Sequence, residues 1–282
     1  MIFFFGGARL GNQLFQYGFL STLAKPNETI ITFDMTSLPQ LFSIPRKRTY
    51  FLKNNFIRIF FYTFVCPLEI FGLVRVIRES PLDFDPKSFE ETYNLKKGLL
   101  PISHVDVGYF QSELFFDPQK GINDLRLKPK FVKEAQDFLD KIPSEFDKCF
   151  VHVRRGDYLV EKYFGQQDIT LPPEYFEKAF VKIQSKFKKP FYIFLTDDAE
   201  YVEKTFSHLD QKIISPCSAH ADFVIMTLCE NGILSNSSFS WWGAYFMRNR
   251  RTVICPNYWL GYKTKNCYPP KILPSFAEVI DP

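Results

Sequence analysis

The sequence has no cysteine pair at metal or redox spacing. Its six cysteines, at 66, 149, 217, 229, 255 and 267, form no CxxC, and none has a histidine partner at ligand spacing. A zinc module or disulfide scaffold is thereby excluded, and the thiols are expected to be reduced and mostly buried, as in a cytoplasmic protein. No apolar run is long enough for a bilayer: in FIRIFFYTFVCPLEIFGLVRVI, residues 56–77, the longest uncharged stretch runs from Ile59 to Leu68, against roughly 20 residues for a span. There is no internal repeat, no low-complexity segment and no GxGxxG fingerprint, so nothing argues for a dinucleotide. The charge excess is small: 35 basic against 31 acidic residues leave a net +4, spread along the chain. A nucleic-acid groove normally needs more, and more clustered, basic charge, so no nucleic acid is expected; an anionic small molecule or membrane surface fits better. Sequons at Asn27 and Asn236, read with no signal peptide ahead of them, are expected to be unused.

Phenylalanine is abundant, with 33 residues that the chain must bury or use. Short apolar runs alternate with helical patterns: strands at 1–5, 28–34 and 105–110, helices at 12–25 and 129–141, and an irregular region at 35–100. After the polar SEFDK the alternation is cleaner, starting with strand CFVHV and helix PPEYFEKAFVKIQSKF, then strand FYIFLT and helix DAEYVEKTF. It ends with strand GILS, helix SFSWWGAYFM and strand TVICP. Strands alternating with helices of this length predict parallel sheets. The expected division is 1–146 and 147–282, two Rossmann-like domains facing a cleft, with a tail able to pack back on the first. The stretch 56–77 reads as a core helix, apolar on nearly all sides. Its basic neighbours also allow a peripheral membrane contact through residues 46–77.

Ligands of open parallel sheets bind at the carboxyl ends of strands, and the unusual polar clusters fall there. GGARLGNQ joins a strand to a helix, where backbone N–H groups can approach an anion, with Asn12 as a side-chain donor; an ordinary tight turn reads equally well. After CFVHV come Arg154, Arg155, Gly156 and Asp157. Each arginine can bind a phosphate bidentately, but neighbours on a strand point to opposite faces. Arg154 is assigned to the ligand; Arg155 divides between the ligand and an ion pair tying the turn to Asp157 or another acid. His152 shares the face of Arg154 and reads as a ribose or diphosphate contact or a hydrogen-bonded core residue. Asp197 fits a helix cap, leaving Asp198 freer for a base or ribose. Ser237 and Ser238 offer hydroxyls and a helix start. Asp83-Phe84-Asp85 spells a DxD metal site but reads better as a solvated turn, since arginines already supply counter-charge.

With HVRRGDY, LGNQLFQYG, GYFQSELFF, FYIFLTDD and SNSSFSWWGAYF placed in that order, the sequence resembles the α-1,2-fucosyltransferases of glycosyltransferase family 11 from residue 1 to about 256. The HxRRxD element is shared with α-1,6- and protein O-fucosyltransferases. The resemblance implies an α/β, GT-B-like fold and GDP-β-L-fucose as donor, with no metal or other cofactor. It implies inverting transfer of fucose to the 2-hydroxyl of a terminal galactose on a glycan acceptor. By motif position Arg154 is the diphosphate ligand, with His152 and Asp157 completing the signature. Asp197 or Asp198, Ser237 and Ser238 hold the rest of the nucleotide, and Gly11, Asn12 and Gln13 face the reacting centre. Asp157 is the candidate base, although a carboxylate beside two arginines is better suited to orienting one of them. The rival class is a silent nucleotide- or glycan-binding protein. Two departures stand out: Arg9 replaces the second glycine of GGLGNQ, and Gly18 follows Tyr17 where alanine is usual. The expected location is the cytoplasm, with peripheral contact at the inner face of the plasma membrane.

Overall fold

The four residues Ile2 to Phe5 have no polar position to present to water, and all four are buried. That is what the middle strand of a covered parallel sheet requires. The structure, a computed structural model, describes all residues except Arg46, Lys47, Asn54, Phe84 and Phe164 and the side chains of Asn55 and Ile57. The Asp83-Phe84-Asp85 reading and the basic start of the 46–77 reading thus fall partly outside the described residues.

The chain divides into two compact units, Met1–Arg126 and Leu127–Pro282. The boundary lies upstream of the expected one because helix Pro129–Leu139 packs on Ala219–Leu228 of the second unit.

The first unit holds a six-stranded sheet ordered Thr49–Leu52, Ile30–Phe33, Ile2–Phe5, Ser103–Val105, Arg75–Glu79, Tyr93–Lys96. All neighbours are parallel except the last pair. Phe3 and Phe5 face Phe33 and Phe61, with Phe5 stacked on Phe33 at 4.6 Å. On the other face Phe4 meets Phe110, which stacks on Phe19 of helix Leu10–Leu23 at 3.9 Å. Each fully buried phenylalanine contributes about 1.5–3 kcal/mol, so this aromatic sandwich puts the phenylalanine excess to use. The region expected to be irregular supplies three of the six strands and a helical crossover over residues 55–70. That crossover corrects the core-helix reading: Phe61 and Val65 are buried, whereas Phe56, Ile59, Phe60 and Phe64 are exposed. The expected 105–110 strand stops at Val105; Asp106 caps the N–H of Val107, and Phe110 takes a left-handed φ of 53°, which a continuing strand forbids.

The second sheet is parallel throughout, ordered Lys212–Ile214, Pro190–Thr196, Asp147–Val153, Asn231–Ile233, Thr252–Pro256, Glu278–Ile280. The tail adds the last strand of this sheet, Glu278–Ile280 beside Thr252–Pro256. Gly232 is register partner to the fully buried Phe150, and a Cβ at Gly232 would overlap that ring. Gly232→Ala is expected to cost about 1–3 kcal/mol by overpacking, read as a lower midpoint in urea. All six cysteines are free and three are buried. Asn236 is fully buried and donates to the Ile169 carbonyl, so its sequon is inaccessible.

Candidate active site

Residues Asp147–Val153 and Pro190–Thr196 run in register to their ends, Val153 opposite Thr196. The two residues after each strand are therefore neighbours, and two successive arginines meet two successive aspartates. Arg154 donates to Asp197 and to Asp157. Arg155 donates from Nε to Asp198 at 2.9 Å and lies 3.6 Å from the Tyr201 ring centroid. The Arg155 backbone N–H also reaches Asp197 at 2.9 Å. Gly156 is required by close approach, since a Cβ there would come 2.6 Å from an Asp197 oxygen. Tyr158, beneath the Arg154 guanidinium at 5.5 Å, donates to the Asn236 carbonyl and joins this turn to the one after Asn231–Ile233.

Two guanidiniums among Asp157, Asp197 and Asp198 carry no surplus positive charge. The carboxylates screen the repulsion between the guanidiniums and fix both planes. Among the described residues, two of the five Arg154 N–H groups meet carboxylates, which leaves three for a ligand. Arg155 takes the tying role, with Asp198 as its partner instead of Asp157. Asp198, not Asp197, is the helix cap, accepting from Tyr201 N–H at 3.0 Å. That bond, with Arg155, holds its carboxyl below the ordinary value. Asp157 is the partner that orients Arg154.

His152 is buried, with Nδ1 2.6 Å from Ser235 Oγ. Burial, aided by the charge of Arg154, drops its pKa to about 3, so the ring is neutral and provides no counter-charge. Ser237 caps helix Ser238–Tyr245, its hydroxyl accepting from Phe239 N–H; Ser237 is buried and Ser238 half-buried. The helix start thus lies at the same sheet edge as Arg154, its first-turn amides suited to a phosphate.

A carboxylate that the strand-and-helix reading passed over stands on this edge. Asp222, in the first turn of Ala219–Leu228, accepts from Ser215 Oγ at 2.6 Å just beyond Lys212–Ile214. Burial pushes its carboxyl up to about 7, with Glu134 adding repulsion. The signal was legible: a lone acid opening an otherwise apolar helix, directly after a strand.

In the first unit the motif LGNQLFQ resolves into one presented side chain and two staples. Gln13 is buried; its Oε1 accepts from Ser37 and Leu38 N–H at 2.9 Å, and its Nε2 donates to the Ala8 carbonyl. Gln16 accepts from Gly7 N–H and donates to the Gly108 carbonyl. Both therefore hold the glycine turn to neighbouring loops at the carboxyl edge. Gly11 is buried in the helix's first turn, and Ala8 takes the left-handed φ of 59° that the turn demands. Asn12 is half-buried, and its Oδ1 accepts from Gln111 Nε2 at 2.6 Å, which turns its amino group away from that partner. The loop carrying Gln111 hangs on Glu79, whose carboxylate accepts from Tyr109 and Phe110 N–H at 2.9 and 3.0 Å. Burial pushes the Glu79 carboxyl up against those two donors. An open depression of about 930 Å³ at the far end of helix Leu10–Leu23, lined by Lys25, Glu90, Tyr93, Lys120 and Arg126 among others, holds none of these groups.

Two units, each built on a largely parallel sheet with its polar clusters at carboxyl ends, define an α/β, GT-B-like glycosyltransferase fold. The family model for Glycosyl transferase family 11 matches residues 107–265, and the chain belongs to that family. It is 31% identical over 121 residues to the O-antigen biosynthesis glycosyltransferase WbnK of Escherichia coli, covering 41% of this chain and 40% of that one. It is 26% identical over 208 residues to an alpha-1,2-colitosyltransferase of Escherichia coli, 70% of this chain and 71% of that one. Among solved structures, POFUT1 in complex with GDP-fucose aligns with a TM-score of 0.54 at 12% identity, over 90% and 97% of the two chains. Fucosyltransferase NodZ from Bradyrhizobium aligns at 0.51 and 14%, over 86% and 91%. The two structural likenesses bear on the fold alone. Among the described residues, no helix is long and apolar enough to cross a membrane.

Proposed function

We propose that the chain transfers L-fucose from GDP-β-L-fucose, with inversion, to the 2-hydroxyl of a terminal galactose, forming an α-1,2-fucoside. The observation that carries this reading is Arg154, held at a strand end by Asp157 and Asp197, in a chain of family 11. The linkage that names the alpha-1,2-colitosyltransferase and the galactoside 2-alpha-L-fucosyltransferase SEC1 from Bos taurus supports the 2-position.

In this reading the acceptor hydroxyl attacks the anomeric carbon opposite the departing GDP, releasing its proton as the bond from that carbon to the diphosphate breaks, through an oxocarbenium-like state. Negative charge grows on the diphosphate, where Arg154 and the amides opening Ser238–Tyr245 strengthen their hold as the bond breaks. Asp222 takes the nucleotide base: guanine presents ring and exocyclic N–H groups that a carboxylate accepts together. The first-unit cluster around Asn12 serves the acceptor. Asp157 positions Arg154, and no side chain is assigned as the base.

A second reading concerns the donor sugar, because the relative covering most of this chain is named for colitose. Incubation with EDTA, galactosides such as lactose, and either GDP-fucose or GDP-colitose, followed by NMR of the product, separates the two. A 2-linked α-fucoside supports the first reading; transfer from GDP-colitose alone replaces it with the second. Another linkage removes the 2-position. Donor binding without any glycoside formed would make the protein a silent binder.

A further inference from the structure

The crossover helix over residues 55–70 is apolar on two sides. Phe61 and Val65 seal one face of the first sheet, together with the partly buried Leu68. The opposite side follows helical spacing as well: Phe56, Ile59, Phe60 and Phe64 lie at intervals of three and four, and Ile70 and Phe71 continue the stripe. These six are between 48% and 82% exposed, and the Phe60 and Phe64 rings touch at 4.9 Å. A contiguous apolar stripe of this kind marks an interaction surface.

Its charge border is one-sided. From Arg48 to Leu73 the basic residues are Arg48, Lys53 and Arg58, all exposed. The one acid in that stretch, Glu69, is half-buried with Oε1 2.6 Å from His104 Nδ1. Arg58 is shared: it pairs with Asp34 at 3.1 Å while 44% of its side chain stays exposed. Aromatic side chains bordered by cations match the boundary of an anionic bilayer, where rings sink among the headgroups and cations meet lipid phosphate. A second copy is the poorer match, because a two-fold contact through this stripe would bring the same cations face to face.

We propose that the 55–71 face is a peripheral docking surface for anionic membrane lipid, lying on the bilayer without crossing it. Asn55 follows strand Thr49–Leu52 in this crossover, so the stripe starts near the carboxyl edge of the sheet that carries the Asn12 turn. A docked protein would therefore hold that edge near the lipid surface.

The test is flotation of the full chain with phosphatidylcholine vesicles, with and without phosphatidylglycerol. The chain is expected to float with the anionic vesicles and to be released by salt. Phe60→Ser with Phe64→Ser should weaken partitioning at least about tenfold, and Lys53→Gln about fivefold. Thermal unfolding and turnover on a soluble acceptor should stay at wild-type values, since these side chains are exposed and none belongs to the Arg154 or Asn12 cluster. Three outcomes overturn the proposal. The chain fails to float, or floats equally with uncharged vesicles, or forms a concentration-dependent dimer that the double variant abolishes, which would assign the face to a second copy.

Discussion

Arg154→Ala is expected to lower turnover by about 10²–10³, the usual cost of losing one preorganised donor at developing charge. The same substitution leaves Asp157 and Asp197 facing each other without their shared cation, so a modest fall in thermal stability should accompany it. Arg154→Lys separates the two effects. Lysine restores one positive charge between the carboxylates, but its single ammonium cannot bind a diphosphate bidentately. Stability should return while turnover recovers only in part. If turnover and stability recovered together, Arg154 would be a structural tie and nothing more. Arg155→Ala is the comparator. Its guanidinium is spent on Asp198 and the Tyr201 ring, so the loss should appear mainly as fraying of helix Ala199–Thr205.

The reason the strand ends could be read from sequence is local. Parallel strands buried on both faces are apolar throughout, so a polar cluster at their carboxyl ends stands out; Arg154 and Asn12 were visible in that way. Pairing was not visible, because it depends on register between strands: Thr196 opposite Val153 decides that Arg155 meets Asp198 and Arg154 meets Asp197. The helix cap lies one residue on, at Asp198 instead of Asp197, because helix starts are soft in sequence. Glu79 was out of reach, since it lies in a region read as irregular and acts on the Tyr109 and Phe110 N–H groups thirty residues on. The 55–70 crossover failed for a different cause. A stretch apolar all round implies burial on all sides, and here one side faces solvent.

Asp222→Asn should make the protein more stable and worse at holding its donor. The native carboxyl has its pKa raised from 3.8 to about 7, chiefly by burial. Between those values the native state holds a proton that the unfolded chain has already released, so stability falls as pH climbs from about 4 to 7. Asparagine is never ionised, and its carbonyl still accepts from Ser215. The variant should match the wild type near pH 4 and gain on it through that window, reaching a plateau above pH 7 of up to about 4 kcal/mol. Thermal melts across pH measure this directly. Calorimetric titration with GDP measures the other half: an amide offers one acceptor where a carboxylate offers two, so affinity should fall about tenfold or more. A variant stabilised above pH 7 with unchanged GDP affinity would remove Asp222 from the base subsite. A variant destabilised there would mean that the carboxylate is held by a cation and is not desolvated. The expected pair of results makes this carboxylate a charge kept in the fold at the expense of stability, which only a ligand that needs the charge accounts for.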